Sequence, residues 1–240
     1  MPASARKRLV LIDIARSLAL AGMLVFHFRF DLVLFGLADP AITATPLFFW
    51  HARIVAGSFM VLAGLSLWLA HGKDLDRHAF WRREARLIAA AALVSGATYL
   101  ALPSAWIFFG ILHSIALGSV LALPCLRLPA ALTLAAGALV IGAAQVLPGM
   151  LQWNHPALRW LGLQDVGTAS ADLEPLFPWF GLILLGLGAG RALAPLWPRL
   201  AVRESRVLTA LAWPGRHSLG LYLVHQPVLL GLIWTYRQVT

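Results

Sequence analysis

The chain has 240 residues, 60% of them hydrophobic and only 12% charged, with a net charge of +9 and a single cysteine, Cys125. Charge at about half the soluble average excludes a soluble globular domain. One cysteine excludes intramolecular disulfides and all-cysteine metal sites, so Cys125 reads as a packing residue.

The first 25 residues have the basic start and apolar core of a signal peptide. Asp13 and Arg16 interrupt that core and no small-residue cleavage site follows, so the stretch reads as a retained first span. Six further apolar stretches approach the ~20 residues a crossing needs, giving expected spans at 10–36, 46–70, 86–102, 105–125, 130–147, 177–194 and 217–237. The expected architecture is an all-α polytopic bundle of about seven spans, one membrane domain over residues 1–240. Pro40, Pro103 and Pro129 mark the short turns. Arg6, Lys7 and Arg8, then Lys73, Arg77, Arg82, Arg83 and Arg86, then Arg127, then Arg199, Arg203, Arg206 and Arg216 fall on one side of that arrangement. By the positive-inside rule that side is cytoplasmic, with the N-terminus, and the C-terminus is periplasmic. The opposite loops hold Arg159 with Asp39, Asp165, Asp172 and Glu174. The net charge is therefore topology and does not point to nucleic acid. The glycines of Gly186-Leu-Gly188-Ala-Gly190 read as small-residue helix packing, because no strand precedes them.

Of the ionisable residues inside the first span, four are set apart by their spacing: Asp13, Arg16, His27 and Asp31. At about 100° per residue they share one face over about 27 Å. Each costs a few kcal/mol or more at membrane depth unless it meets a partner or a wet cavity, so the stripe implies a lined polar interior. His51, His113 and His225 sit where three other spans can aim imidazoles at the same interior, and Ser218, Tyr222 and His225 share a face at i, i+4, i+7. Pro227 is expected to loosen the last helix just beyond His225. A lone buried histidine also serves as a plain interface hydrogen-bonder, which is the favoured reading for His51 and an open one for His113 and His225. Arg29 reads as snorkelling, and Arg53 as either a partner of Asp31 or an interfacial anchor.

Acyl transfer needs a base near neutral pKa, an orienting group for it and donors for the developing oxyanion. His27 with Asp31 at i+4 supplies the first two, and His113, His225, Tyr222 or Gln226 the third. Arg16, about 16 Å nearer the cytoplasm on the same face, is placed to hold a long donor such as acetyl-CoA, with Asp13 orienting it. Arg82 and Arg83 are candidates for the donor's phosphates, although most of the 73–86 charge reads as topogenic.

Ile12-Asp13-Ile14-Ala15-Arg16-Ser17-Leu18-Ala19, with Phe26-His27 and Asp31-Leu32, resembles the first span of bacterial proteins related to the heparan-α-glucosaminide N-acetyltransferase catalytic domain. Phe108-Phe109-Gly110-Ile111-Leu112-His113, Phe177-Pro178-Trp179-Phe180-Gly181, and His217-Ser218-Leu219 with Tyr222-Leu223-Val224-His225-Gln226-Pro227 resemble its later blocks, in the same order. Ser17 stands where such first spans usually carry glycine. The resemblance implies an acetyl-CoA-dependent membrane acyltransferase of the bacterial inner membrane. It implies a catalytic His27 and a donor-binding Arg16, while Arg53, Trp179, Ser218, Tyr222 and Gln226 are the candidates to line the substrate cavity. It implies a glycan or other envelope acceptor, and no metal or tightly bound cofactor. The acceptor's identity and the oligomeric state, a homodimer included, stay open. Two rivals remain: a proton-coupled transporter or flippase using the same stripe, and a haem carrier ligated by His113 and His225.

Overall fold

The computed structural model describes residues 9–151, 153–164, 170–202 and 205–239. Arg6, Lys7, Arg8, Asp165 and Arg203 lie outside the described residues. The chain folds as α1 (Val10–Leu34), α2 (Pro46–His71), α3 (Arg77–Ala101), α4 (Ile111–Leu121), α5 (Ala130–Leu151), α6 (Leu176–Ala192), α7 (Trp197–Leu200), α8 (Arg206–Arg216) and α9 (Ser218–Val239), with short 3-10 turns between some of them. No strand occurs among the described residues.

Starts are set by local chemistry. Asp76 caps α3 by accepting from the Ala79 amide at 2.9 Å, and Ser205 caps α8 by accepting from Leu208 at 3.2 Å. Helices α1, α2, α5 and α9 are long and apolar enough to cross a membrane. The expected 86–102 span is the lower part of a longer α3 that begins among the arginines at Arg77, and 177–194 corresponds to α6, 17 residues long. The expected 105–125 span is corrected most. Only Ile111–Leu121 is α-helical, 11 residues or about 16 Å, about half the depth of a hydrocarbon core of about 30 Å, and the rest of the stretch before it is loop. The aromatic run before it is held out of the helix because α3 claims its backbone. Ser95 Oγ donates to the Ile107 carbonyl at 2.6 Å, and the Ile107 amide donates to Thr98 Oγ1 at 3.0 Å. Pro227 does not break α9, which continues to Val239.

Two compact units emerge, residues 1–59 with 195–240, and residues 60–194. The second is organised around α6, whose small residues admit neighbouring backbones. A Cβ on Gly186 would overlap the Val61 carbonyl, and one on Gly64 the Ile183 carbonyl. Gly137 and Gly181 face each other so closely that a Cβ on either would come within 2.8 Å of the other's carbonyl oxygen. Lipid offers no hydrophobic gain for helix pairing, so this close approach is the main source of cohesion between spans. In the first unit, α1 packs on α8 by the same device, with Gly215 against the Asp13 carbonyl.

Replacing Gly186 by Val should therefore destabilise the second unit by at least the ~1–3 kcal/mol of an overpacked core, because the obstacle is backbone. Thermal unfolding in detergent should show a clear loss of stability. Gly142→Val, at a glycine with nothing within 4 Å of the added Cβ, should change little.

Candidate active site

The first unit brings two of the four expected histidines together. His27 of α1 and His225 of α9 have ring centroids 4.9 Å apart, inclined at 59°. His225 Nδ1 is bonded to the Tyr222 carbonyl one turn back. A carbonyl only accepts, so Nδ1 carries the hydrogen and the neutral ring presents its lone pair at Nε2. That atom is buried and has no hydrogen-bond partner among the described residues. Beside it in the chain, Gln226 Nε2 donates to Asp31 Oδ1 at 2.8 Å, which turns the amide so that Oε1 faces away from the carboxylate. Gln226 Oε1 and Asp31 Oδ2 are likewise buried and unpartnered among the described residues. Asp31 is 0% exposed and His225 8%. Two helices thus converge on three hydrogen-bond acceptors with no donor supplied among the described residues, an arrangement suited to an ordered water, an ion or a bound molecule that brings donors.

Asp31 was expected to orient His27; its bonded partner is instead Gln226 on α9. His27 packs edge-on to Phe26 and against His225, and no hydrogen bond reaches its ring among the described residues. His51 takes the interface role, its Nε2 bonded to the Gly22 carbonyl at 3.0 Å. Arg53 is exposed with its guanidinium over Phe49, and Arg29 lies over Phe48, so Arg53 anchors and does not pair with Asp31. Tyr222 gives its carbonyl to His225 and sets its ring 5.5 Å away, while Ser218 opens α9 half-buried.

Nearer the start of α1, a second polar cluster ties that helix to α8. Asp13 is 1% exposed. Its Oδ1 accepts from Arg16 at 2.7 Å and its Oδ2 from Arg216 Nε at 3.3 Å. Ser17 Oγ donates to the Asp13 carbonyl at 3.1 Å and accepts from the Gly215 amide at 2.8 Å. The sequence signal for Arg216 was its place beside the His217-Ser218 block; counted as topogenic charge, it was missed as a partner of Asp13.

The other expected residues lie in the second unit. His113 is a helix cap: its Nδ1 accepts from the Gly110 amide at 3.2 Å and its Nε2 meets Ser95 Oγ at 3.3 Å. Both nitrogens are thus engaged within the second unit. Arg83 is held by Glu84 and by Ser119 Oγ at 3.3 Å, whereas Arg82 is exposed. Trp179 is buried at the start of α6. A strap at 170–175 pairs with the aromatic loop through Ala171 N–H to the Ala105 carbonyl at 2.7 Å and Glu174 N–H to the Phe109 carbonyl at 3.1 Å. Asp172 Oδ2 faces the start of α4, 3.5 Å from the Ile111 amide.

Residues 8–227 match the family described as heparan-alpha-glucosaminide N-acetyltransferase, catalytic. The chain belongs to that family. The match takes in α1 with the stripe and ends at Pro227, so both halves of the His27/His225 pair fall inside the family's catalytic region. No curated protein and no solved structure matches the chain.

Burial pushes the Asp172 carboxyl up to about 6, partly offset by the Ile111 amide. A raised folded-state value means the strap is most stable below the unfolded pKa of about 4, and loses that contribution as pH rises through about 6. Melting temperature should therefore fall between pH 5 and 7.5, and Asp172→Asn should flatten that dependence. An identical slope in the variant would assign it to another group.

Proposed function

We propose that the protein is an integral membrane acyltransferase of the bacterial cytoplasmic membrane. It moves an acetyl or other short acyl group from a cytoplasmic acyl-CoA to an amine or hydroxyl of a sugar-like acceptor on the periplasmic side. Family membership supports the reaction class, and the observation that carries the reading is the buried, unpartnered Nε2 of His225 beside the unpartnered oxygens of Asp31 and Gln226. Three acceptors suit a nucleophile that arrives with several donors, as a primary amine on a saccharide does.

The roles of the two histidines exchange relative to the sequence expectation. His225, its tautomer set by the Tyr222 carbonyl, takes the nucleophile's proton at Nε2 as the new bond to the acyl carbon forms. His27, ring to ring with it, donates to the oxyanion that develops on the acyl oxygen. When the carbon–sulfur bond breaks, the proton on His225 passes to the departing thiolate, so no proton is left over. Asp31 and Gln226 hold the acceptor. Arg16, with Asp13, holds the donor about 16 Å toward the cytoplasm.

Single-turnover transfer from saturating acetyl-CoA separates these roles. His225→Gln should lose roughly 10²–10⁴-fold, because an amide accepts no proton near neutral pH. His27→Ala should lose roughly 10²–10³-fold and His27→Gln less, since the glutamine amide still donates. Near wild-type transfer by His225→Gln would overturn the assignment. Topology is checked independently: a reporter fused after the last residue should be periplasmic, and one inserted at 73–83 cytoplasmic. Cytoplasmic activity of the C-terminal fusion would mean an even number of crossings.

A further inference from the structure

Helix α8 is a short amphipathic element that divides into three faces. At about 100° per residue, Leu208, Ala212 and Gly215 share the side that meets α1. Val207 and Leu211 form an exposed apolar side. The third side gathers Arg206, Thr209, Trp213 and Arg216. A groove of about 650 Å³ runs there, lined by Ser205, Arg206, Thr209, Ala210 and Trp213. Farther along the same side of the helix Arg216 reaches Asp13, the carboxylate that Arg16 also meets. From Arg206 to Arg216 the groove face spans about 15 Å. A cation at each end, an exposed indole and a hydroxyl between them: this is chemistry for an aromatic base flanked by phosphates.

Resting on the acyl-CoA reading above, we propose that this face of α8 binds the adenosine 3′,5′-bisphosphate end of the donor. Trp213, 54% exposed, stacks the adenine. Arg206 takes the 3′-phosphate, and Arg216 with Arg16 takes the pyrophosphate. The pantetheine arm then leads along α1 from Arg16 toward His27. The donor's ribose carries the 3′-phosphate, the base and the 5′-pyrophosphate on three different carbons, and the pyrophosphate leads on to the arm.

Anionic lipid headgroups present the same phosphate chemistry, so the test separates the two sources. Binding of coenzyme A, dephospho-coenzyme A and 4′-phosphopantetheine is measured by calorimetry on the full chain, in neutral detergent and in nanodiscs containing phosphatidylglycerol. Wild type should prefer coenzyme A over dephospho-coenzyme A by about tenfold, the size expected for one charge-assisted phosphate contact. Arg206→Ala should erase that preference by weakening coenzyme A alone. Trp213→Ala should weaken both nucleotides equally and leave 4′-phosphopantetheine unchanged. Both side chains are exposed, so neither change opens a core. Wild-type coenzyme A affinity in both variants overturns the proposal while leaving the donor reading intact. Variants that lose only phosphatidylglycerol retention reassign the face to lipid. A wild-type protein that binds none of the three counts against the acyl-CoA reading itself, and the proposal falls with it.

Discussion

The hydrogen bond from the Gly215 amide to Ser17 Oγ, 2.8 Å long, sets the register on which the polar interior of the first unit depends. It lies where α8 and α1 approach too closely for any side chain on residue 215. From that point, ten residues along α1 lead to His27 and ten from the end of α8 into α9 lead to His225. Both stretches are largely helical and rise about 1.5 Å per residue, so the two rings arrive at one depth. Their 4.9 Å separation follows from equal counting from a shared origin. The Asp13 carboxylate reinforces that origin by engaging a guanidinium from each helix.

Buried ion clusters are costly to assemble and weak evidence of stability, because desolvation consumes much of the Coulombic gain. Removing one partner is another matter, since it strands the rest in a medium that cannot solvate them. Asp13 therefore stabilises one arrangement of α1 and α8 against alternatives. The second unit reaches specificity by different means. Its helices meet through glycine and backbone, Gly64 against Ile183 and Gly186 against Val61, with no charge at those contacts. Both solutions answer the same constraint, that lipid gives apolar helices no reason to pair in one register over another.

The sequence exposed whatever repeats along one helix. The stripe on α1 was legible because a charge inside an apolar run needs an explanation, and the glycines of α6 because small residues there suit close packing. Partners across helices were not legible. Asp31 reads as a natural companion of His27 at i+4, yet Gln226, distant in sequence, offers an amide donor directly to its carboxylate. His113 carried the same apolar surroundings as His225, and what separates them is backbone. One has Nδ1 turned to an amide donor, the other to a carbonyl acceptor, so their tautomers are opposite. The aromatic run at 106–109 shows the limit of hydropathy: a loop held by Ser95 and Thr98 counts as apolar as a helix does. Helix α8 escaped notice because 11 residues with an arginine at each end average to nothing in a window sized for a span.

Ser17 shows how one departure from a family pattern can be read physically. Glycine, usual at that place, would allow the same close approach of α8 but would leave the Gly215 amide without the acceptor it has here. A buried amide with no partner costs about 1–3 kcal/mol, so a chain with glycine must satisfy that amide by other means or set the helices apart differently. Here the hydroxyl does two jobs, accepting from Gly215 and donating to the Asp13 carbonyl, the same carbonyl that Gly215 packs against. Across this contact α8 supplies the glycine and α1 the polar group. The register that brings His27 to His225 thus rests on a complementary pair, and neither position can be judged without the other.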